Sequence, residues 1–183
     1  MAKYGVVETT KITEPCFDFK AIADIENGSI VKKGDLVTGE THIYVAGIPA
    51  TTDEVYLVAN PAWSYDSSSI INQNEDEFIN KKGIPFKGYA MKKDNKFAVL
   101  DYSIDASGIS ALAVGDYIGA DGTTNKLKDL GTSTPTMSDV GFVGIVREIK
   151  EYGFAYCTGT VGNVGATGKK VVIEVLKNAT VEA

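Results

Sequence analysis

The chain is poor in the residues that most often do chemistry. Its 183 residues include two cysteines and one histidine. Cys16 and Cys157 stand far apart and form no CxxC pair, so the spacing of a zinc site is missing. A disulfide between them would need the fold to bring them together. Any Ser-His-Asp or Cys-His arrangement would have to use His42, which sits in the strand-like run Thr41-His42-Ile43-Tyr44-Val45. No GxSxG elbow accompanies it. No apolar run approaches the roughly 20 residues of a membrane helix. The opening Met1-Ala2-Lys3-Tyr4 leads into polar residues rather than a secretory leader. The expectation is a protein made in a cytoplasm with no membrane partner. Basic residues are also scarce, 18 against 24 acidic ones, for a net charge of −6. That balance argues against nucleic acid as a partner. The lysine doublets Lys32-Lys33, Lys81-Lys82, Lys92-Lys93 and Lys169-Lys170 flank turns, where solvated charge discourages edge-to-edge aggregation.

What the chain does have is punctuation. Gly34-Asp35 and Gly115-Asp116 are each followed by apolar residues, Leu36-Val37 and Tyr117-Ile118. Glycine accepts positive φ and an aspartate side chain can bond nearby amides, so each pair predicts a tight turn that launches a strand. Asn27-Gly28 predicts a hairpin turn. Strand signals follow one another at short intervals: 4–7, 16–25, 29–31, 36–37, 42–46, 54–59, 86–91, 97–100, 117–118, 142–150, 154–158 and 171–176. Residues 138–152 also carry helical spacing at Phe142, Ile145, Val146 and Ile149. Gly141 and Gly144 each weaken a helix by about 1 kcal/mol, and the β-branched content favours a strand.

The predicted fold class is all-β, one or two small β-barrels or sandwiches with an extended N-terminal arm and a glycine-rich hairpin loop. At this length the chain buries roughly 70% of its unfolded surface without disulfide help. Residues 60–74 read as an irregular connection and Glu75 to Asn80 as one helical turn at most. They divide an arm and first module, 1–74, from a second module, 75–183, unless the two form one continuous domain.

The remaining motifs weigh towards plain readings. Gly159, Gly162, Gly165 and Gly168 precede Lys169, but a phosphate loop needs glycine where Asn163 stands and Ser or Thr where Lys170 stands. Four proline-free triplets make no collagen either. Glu75-Asp76-Glu77 and Asp121-Gly122-Thr123-Thr124-Asn125 are oxygen-rich, yet neither has the EF-hand spacing. Nothing selects two of the many carboxylates for glycoside cleavage. The expectation is a protein that is not an enzyme and holds no cofactor or metal. The aromatic residues Tyr4, Phe17, Phe19, Trp63 and Tyr65 remain candidates for a partner interface, with core filling as their alternative.

The segment from Glu77 to Val99 carries a further signal. It reads Phe78-Ile79-Asn80-Lys81-Lys82-Gly83-Ile84-Pro85, then a strand, a polar turn at Asp94-Asn95 and Phe97-Ala98-Val99. This Phe-x-Asn-x-x-Gly-x-Pro turn with its two following strands resembles small capsid-associated, decoration- or cement-like virion proteins of tailed bacteriophages. The Ala113–Gly119 turn, the Phe142–Lys150 strand and the opening Tyr4-Gly5-Val6-Val7 with Thr9-Thr10-Lys11-Ile12 are similar to that group too. The chain departs from it where Asp94-Asn95 replaces Gly-Asp, and its Gly159–Gly168 loop has no counterpart. The resemblance implies a β-rich structural protein on the virion capsid surface, a homo-oligomer whose partner is the major capsid protein. It brings no catalytic residues. Two other readings fit the same residues: a tail or head-fibre base, and a carbohydrate- or cell-surface-binding β-module.

Overall fold

The structure, a computed structural model, describes residues 8–61, 78–105, 111–152 and 168–181. Eleven strands run in chain order: β1 (Glu8–Lys11), β2 (Cys16–Lys20), β3 (Ile30–Leu36), β4 (Ile43–Gly47), β5 (Tyr56–Val58), β6 (Pro85–Ala90), β7 (Lys96–Leu100), β8 (Tyr117–Ala120), β9 (Leu127–Gly131), β10 (Phe142–Tyr152) and β11 (Gly168–Asn178). The fold is all-β, with a single 3-10 turn at Asp101–Ser103 among the described residues.

Five strands close a barrel in the order β2-β4-β3-β5-β6. The other six form an open sheet in the order β1-β7-β11-β10-β8-β9. β2 and β4 pair in parallel, with Phe19 beside Tyr44. Every other strand pairing among the described residues is antiparallel, including β2 with β6, which closes the barrel at Phe19↔Phe86. β1 joins β7 in the open sheet.

Residue 74 falls in sequence between β5 and β6, which pair in one barrel. The barrel runs from Cys16 to Ala90, and the sheet takes β1 from before it and β7 to β11 from after it. The physical reason lies in the barrel wall. Val55-Tyr56-Leu57-Val58 is apolar at every position, as expected of a strand covered on both faces. Tyr56 and Val58 point into the barrel, whereas Val55 and Leu57 pack with the sheet. Ile30 and Val31 of β3 divide in the same way. One wall of the barrel is thus the second layer of the sheet, and the cluster between them includes Met91, Phe97, Phe142, Ile173 and Val175.

Two asparagines lock the layers together. The Val55 N–H donates to Asn178 Oδ1 at 2.9 Å, and Asn178 Nδ2 donates to the carbonyls of Val55 (2.8 Å) and Met91 (3.0 Å). The Ile30 N–H donates to the Asn125 carbonyl, and Asn125 Nδ2 returns a bond to the Ile30 carbonyl, both at 2.9 Å. These bonds satisfy backbone groups that would otherwise be lost to water in the seam.

Local expectations are met at one Gly-Asp pair and not at the other. Gly115 has φ 101°, Asp116 Oδ2 accepts from the Ala113 N–H at 2.6 Å, and β8 follows. Gly34-Asp35 instead lies inside β3, where the register slips between Lys33 and Leu36. Glycine is needed there for room, because a Cβ would stand 2.8 Å from the Val45 carbonyl oxygen. The two predicted short strands, 29–31 and 36–37, are consequently one strand. Asn27-Gly28 turns the chain but makes no hairpin, since β2 pairs with β4 and β6 and not with β3. The Asn27 side chain is committed elsewhere. Its Oδ1 accepts from the Asn60 N–H (3.0 Å) and Asn80 Nδ2 (3.0 Å), and its Nδ2 donates to the Asn60 carbonyl (2.7 Å). β10 is a strand, as its glycines predicted. Gly144 is required by packing, because a Cβ would meet Ile173 Cγ2 at 2.5 Å. β9 was not foreseen; Leu-Lys-Asp-Leu-Gly has little strand signal, and β8 recruits it. The expected strands at 4–7 and 154–158, residues 75–77 of the expected Glu75–Asn80 turn, and the glycine-rich loop apart from Gly168 lie outside the described residues, and 78–80 are not helical.

The expected N-terminal arm is an integral part of the fold from Glu8 onward. β1 pairs with β7, Glu8 forms an ion pair with Lys170, and β2 supplies a wall of the barrel. Removal of residues 1–19 would therefore not leave an intact core.

Candidate binding surfaces

Alternation along β2 sends Phe17 and Phe19 inward and Cys16, Asp18 and Lys20 outward. Phe19 is fully buried, 5.4 Å from the Tyr56 ring and 6.2 Å from Phe86, with which it stacks at 26°. It is a core residue and presents nothing to a partner. Gly88 makes this possible, because a Cβ there would stand 2.6 Å from the Phe19 ring.

Phe17 lies one pleat nearer the barrel end and is half-buried. It meets Tyr44 edge-on at 6.2 Å and Tyr56 at 5.6 Å. Lys33 Nζ sits 4.3 Å from the Phe17 centroid and 4.0 Å from that of Tyr44. A cation over two ring faces is attracted by their quadrupoles. The end of the barrel where β2 begins is thus capped by an ammonium on an aromatic floor. Burial, with the Glu54 carboxylate adding to it, pushes the phenol of the neighbouring Tyr56 up to about 12. Of the five aromatic interface candidates, the structure brings Phe17 and Phe19 into one barrel. Tyr4, Trp63 and Tyr65 lie outside the described residues. Sequence reading overlooked Tyr44 and Lys33, because their meeting with Phe17 depends on the parallel β2–β4 pair and on the β3–β4 register.

The opposite end of the barrel is different. There the Asn27–Asn60–Asn80 bonds and the Ile25↔Asn80 bridge seal the interior. Outside that seal, three isoleucines stand in solvent: Ile22 (78% exposed), Ile84 (58%) and Ile48 (52%). Lys20 pairs with Val45 on one side and Pro85 on the other, and the Gly83 N–H donates to the Ala21 carbonyl at 3.0 Å. The ends of β2 and β4 and the start of β6 therefore meet here, which brings Ile22, Ile48 and Ile84 to one rim. Nothing in the sequence pattern marked them.

His42 is exposed, with the Thr41 hydroxyl 3.3 Å from its Nδ1. Asp121 Oδ2 accepts from the hydroxyls of Thr123 (2.6 Å) and Thr124 (2.8 Å), and these bonds hold its carboxyl below the usual carboxylate range. The Asn125 side chain of the same loop is used by β3. Cys16 is an exposed free thiol, and Cys157 lies outside the described residues, as do Glu75, Asp76 and Glu77. Among the described residues no three His, Cys, Asp or Glu side chains are grouped to hold a metal ion, and no helix is long and apolar enough to cross a membrane. Compared with known proteins, the chain matches no family model, no curated protein and no solved structure.

Proposed function

We propose that this chain is a structural virion protein that binds the assembled capsid of a tailed phage and stabilises or decorates it. The observation that carries this reading is the segment on which the resemblance rests. Residues 78–99 form the crossover that takes the chain from the barrel to the open sheet. Asn80 bridges to Ile25, β6 closes the barrel, Met91 enters the shared core, and β7 joins β11. Asp94 takes φ 70° in the polar turn between β6 and β7. Aspartate tolerates that left-handed conformation better than most residues, so it can stand where the family has glycine. The family-like stretch is thus a fold-defining one rather than a surface motif.

The mechanism on this reading is adhesion. Each Å2 of apolar surface removed from water is worth about 25 cal/mol, and a modest contact repeated around a shell gains through multivalency. The chain acts as a homo-oligomer on the capsid surface, with the major capsid protein as its partner. The test is co-sedimentation with empty shells of that capsid protein, together with a size-exclusion mass. Shell-bound protein in a fixed ratio to capsid subunits supports the reading. A monomer that stays in the supernatant overturns it.

A further inference from the structure

We propose that the isoleucine rim of the barrel, Ile22, Ile48 and Ile84, is the surface that docks on the shell, and that it takes an acidic protein surface with an apolar recess. This rests on reading the chain as a capsid-binding protein. Three β-branched aliphatic residues, each more than half exposed, stand just beyond the ends of β2 and β4 and just before the start of β6, which meet through Lys20↔Val45 and Lys20↔Pro85. The barrel interior beneath them is already sealed, so the rim contributes nothing to that core. A cluster of this kind marks an interaction site, whereas single exposed apolar residues do not.

Charge selects the occupant. Lys20 ends β2 between Val45 and Pro85, and Lys81 and Lys82 immediately precede Gly83, which bonds to Ala21, so all three belong to the segments that meet at the rim. Lys81 is paired with Asp24 at 3.2 Å, and Asp24 also accepts from the Lys82 backbone N–H at 2.8 Å. Lys20 forms no ion pair among the described residues, and the Lys82 charge shares the Asp24 carboxylate with Lys81, which leaves three ammonium groups against one carboxylate. The rim is therefore basic on a chain whose net charge is −6. An acidic partner is repelled by the chain as a whole and attracted here, which orients the encounter. A second copy docking symmetrically through the same rim would set lysine against lysine, which disfavours self-association through this end.

The experiment compares wild type with I22S/I84S and K20E/K82E in co-sedimentation with empty shells of the major capsid protein. Thermal melting of each variant is the folding control. Ile22, Ile84 and Lys82 are exposed and Lys20 is half-buried on the outer face of β2, so melting close to wild type is expected. Shell affinity is expected to fall at least about tenfold in each variant, as for hot-spot residues. If wild type binds and both variants bind equally well, the rim is not the docking surface, while the capsid reading stands. If wild type itself does not bind, both fall. A wild-type dimer that I22S/I84S dissociates, or wild-type capture by phosphatidylglycerol vesicles, would assign the rim to another occupant and overturn the inference.

Discussion

The barrel fills its interior with rings, and the open sheet covers its buried face mainly with branched aliphatic side chains. Phe17, Phe19, Tyr44, Tyr56 and Phe86 dominate the first, and Val99, Ile118, Val146, Val171, Ile173 and Val175 the second. The difference follows from geometry. A closed five-stranded barrel has a narrow interior that a few large rings fill, provided that small residues such as Ala46 and Gly88 face them. An open sheet needs a second layer, and here the outer face of β3 and β5 supplies it. The barrel has a core of its own, whereas the sheet depends on the barrel wall.

The largest expected effect comes from opening the barrel. Deleting residues 1–19 removes β1 and all of β2 but Lys20, and leaves β4 and β6 without their shared neighbour. The expected result is loss of a cooperative thermal transition. A full-strength transition would show that closure is not what holds the aromatic core. Next come the two glycines that admit a neighbour. Gly88→Ala sets a methyl 2.6 Å from the Phe19 ring, and Gly144→Ala sets one 2.5 Å from Ile173. Overpacking of this kind costs roughly 1–3 kcal/mol. Urea midpoints should fall in both, and further for Gly88→Ala, because a closed barrel relaxes less than an open sheet. The reverse order would break the comparison.

Asn178→Ala tests the seam. It leaves the Val55 N–H and the carbonyls of Val55 and Met91 without their partner, at about 1–3 kcal/mol for a buried unsatisfied group. Hydrogen exchange at Val55 should rise more than at Phe19, on the barrel strand that pairs with neither β3 nor β5; equal changes would mean that the two layers unfold as one.

pH separates the two regions with smaller effects. Tyr56 titrates near 10.0 when unfolded and about 12 when folded, so the folded state keeps the proton more tightly. Its contribution is complete below pH 10 and is lost as pH rises through 12. Tyr56→Phe should flatten that alkaline decline in a denaturation series; an unchanged slope would place its cause elsewhere. On the sheet, the Arg147 hydrogen bond, with Lys96 beside it, lowers Glu174 from 4.5. That contribution is present above the unfolded value and is lost as pH falls through the folded one. Glu174→Gln should slightly reduce acid sensitivity, the smallest change here because exposed ion pairs are screened.

Strand identity was legible wherever local chemistry alone decides it. β10 is a strand because Gly141 and Gly144 disfavour the competing helix, and Gly115-Asp116 is a turn because its aspartate caps its own loop. Local signals failed wherever partners were distant. Gly34 looked like a turn residue but sits in a strand to clear the Val45 carbonyl. Asn27-Gly28 looked like a hairpin, but the Asn27 side chain binds Asn60 and Asn80. β9 has almost no signal of its own. Phe17 and Phe19 were legible as one face of a strand, but not which of them is buried. The isoleucine rim was illegible because no two of its residues are neighbours in sequence.

The sequence by itself determined an all-β chain, through alternation, β-branched residues and glycine-bearing turns, because these act over a few residues. Tertiary structure alone decided that β2 lies parallel to β4, that β1 leaves its sequence neighbours for the open sheet, and that a lysine comes to rest on two rings. Those outcomes depend on closing a barrel and burying both faces of its wall, and burial is a property of the whole chain.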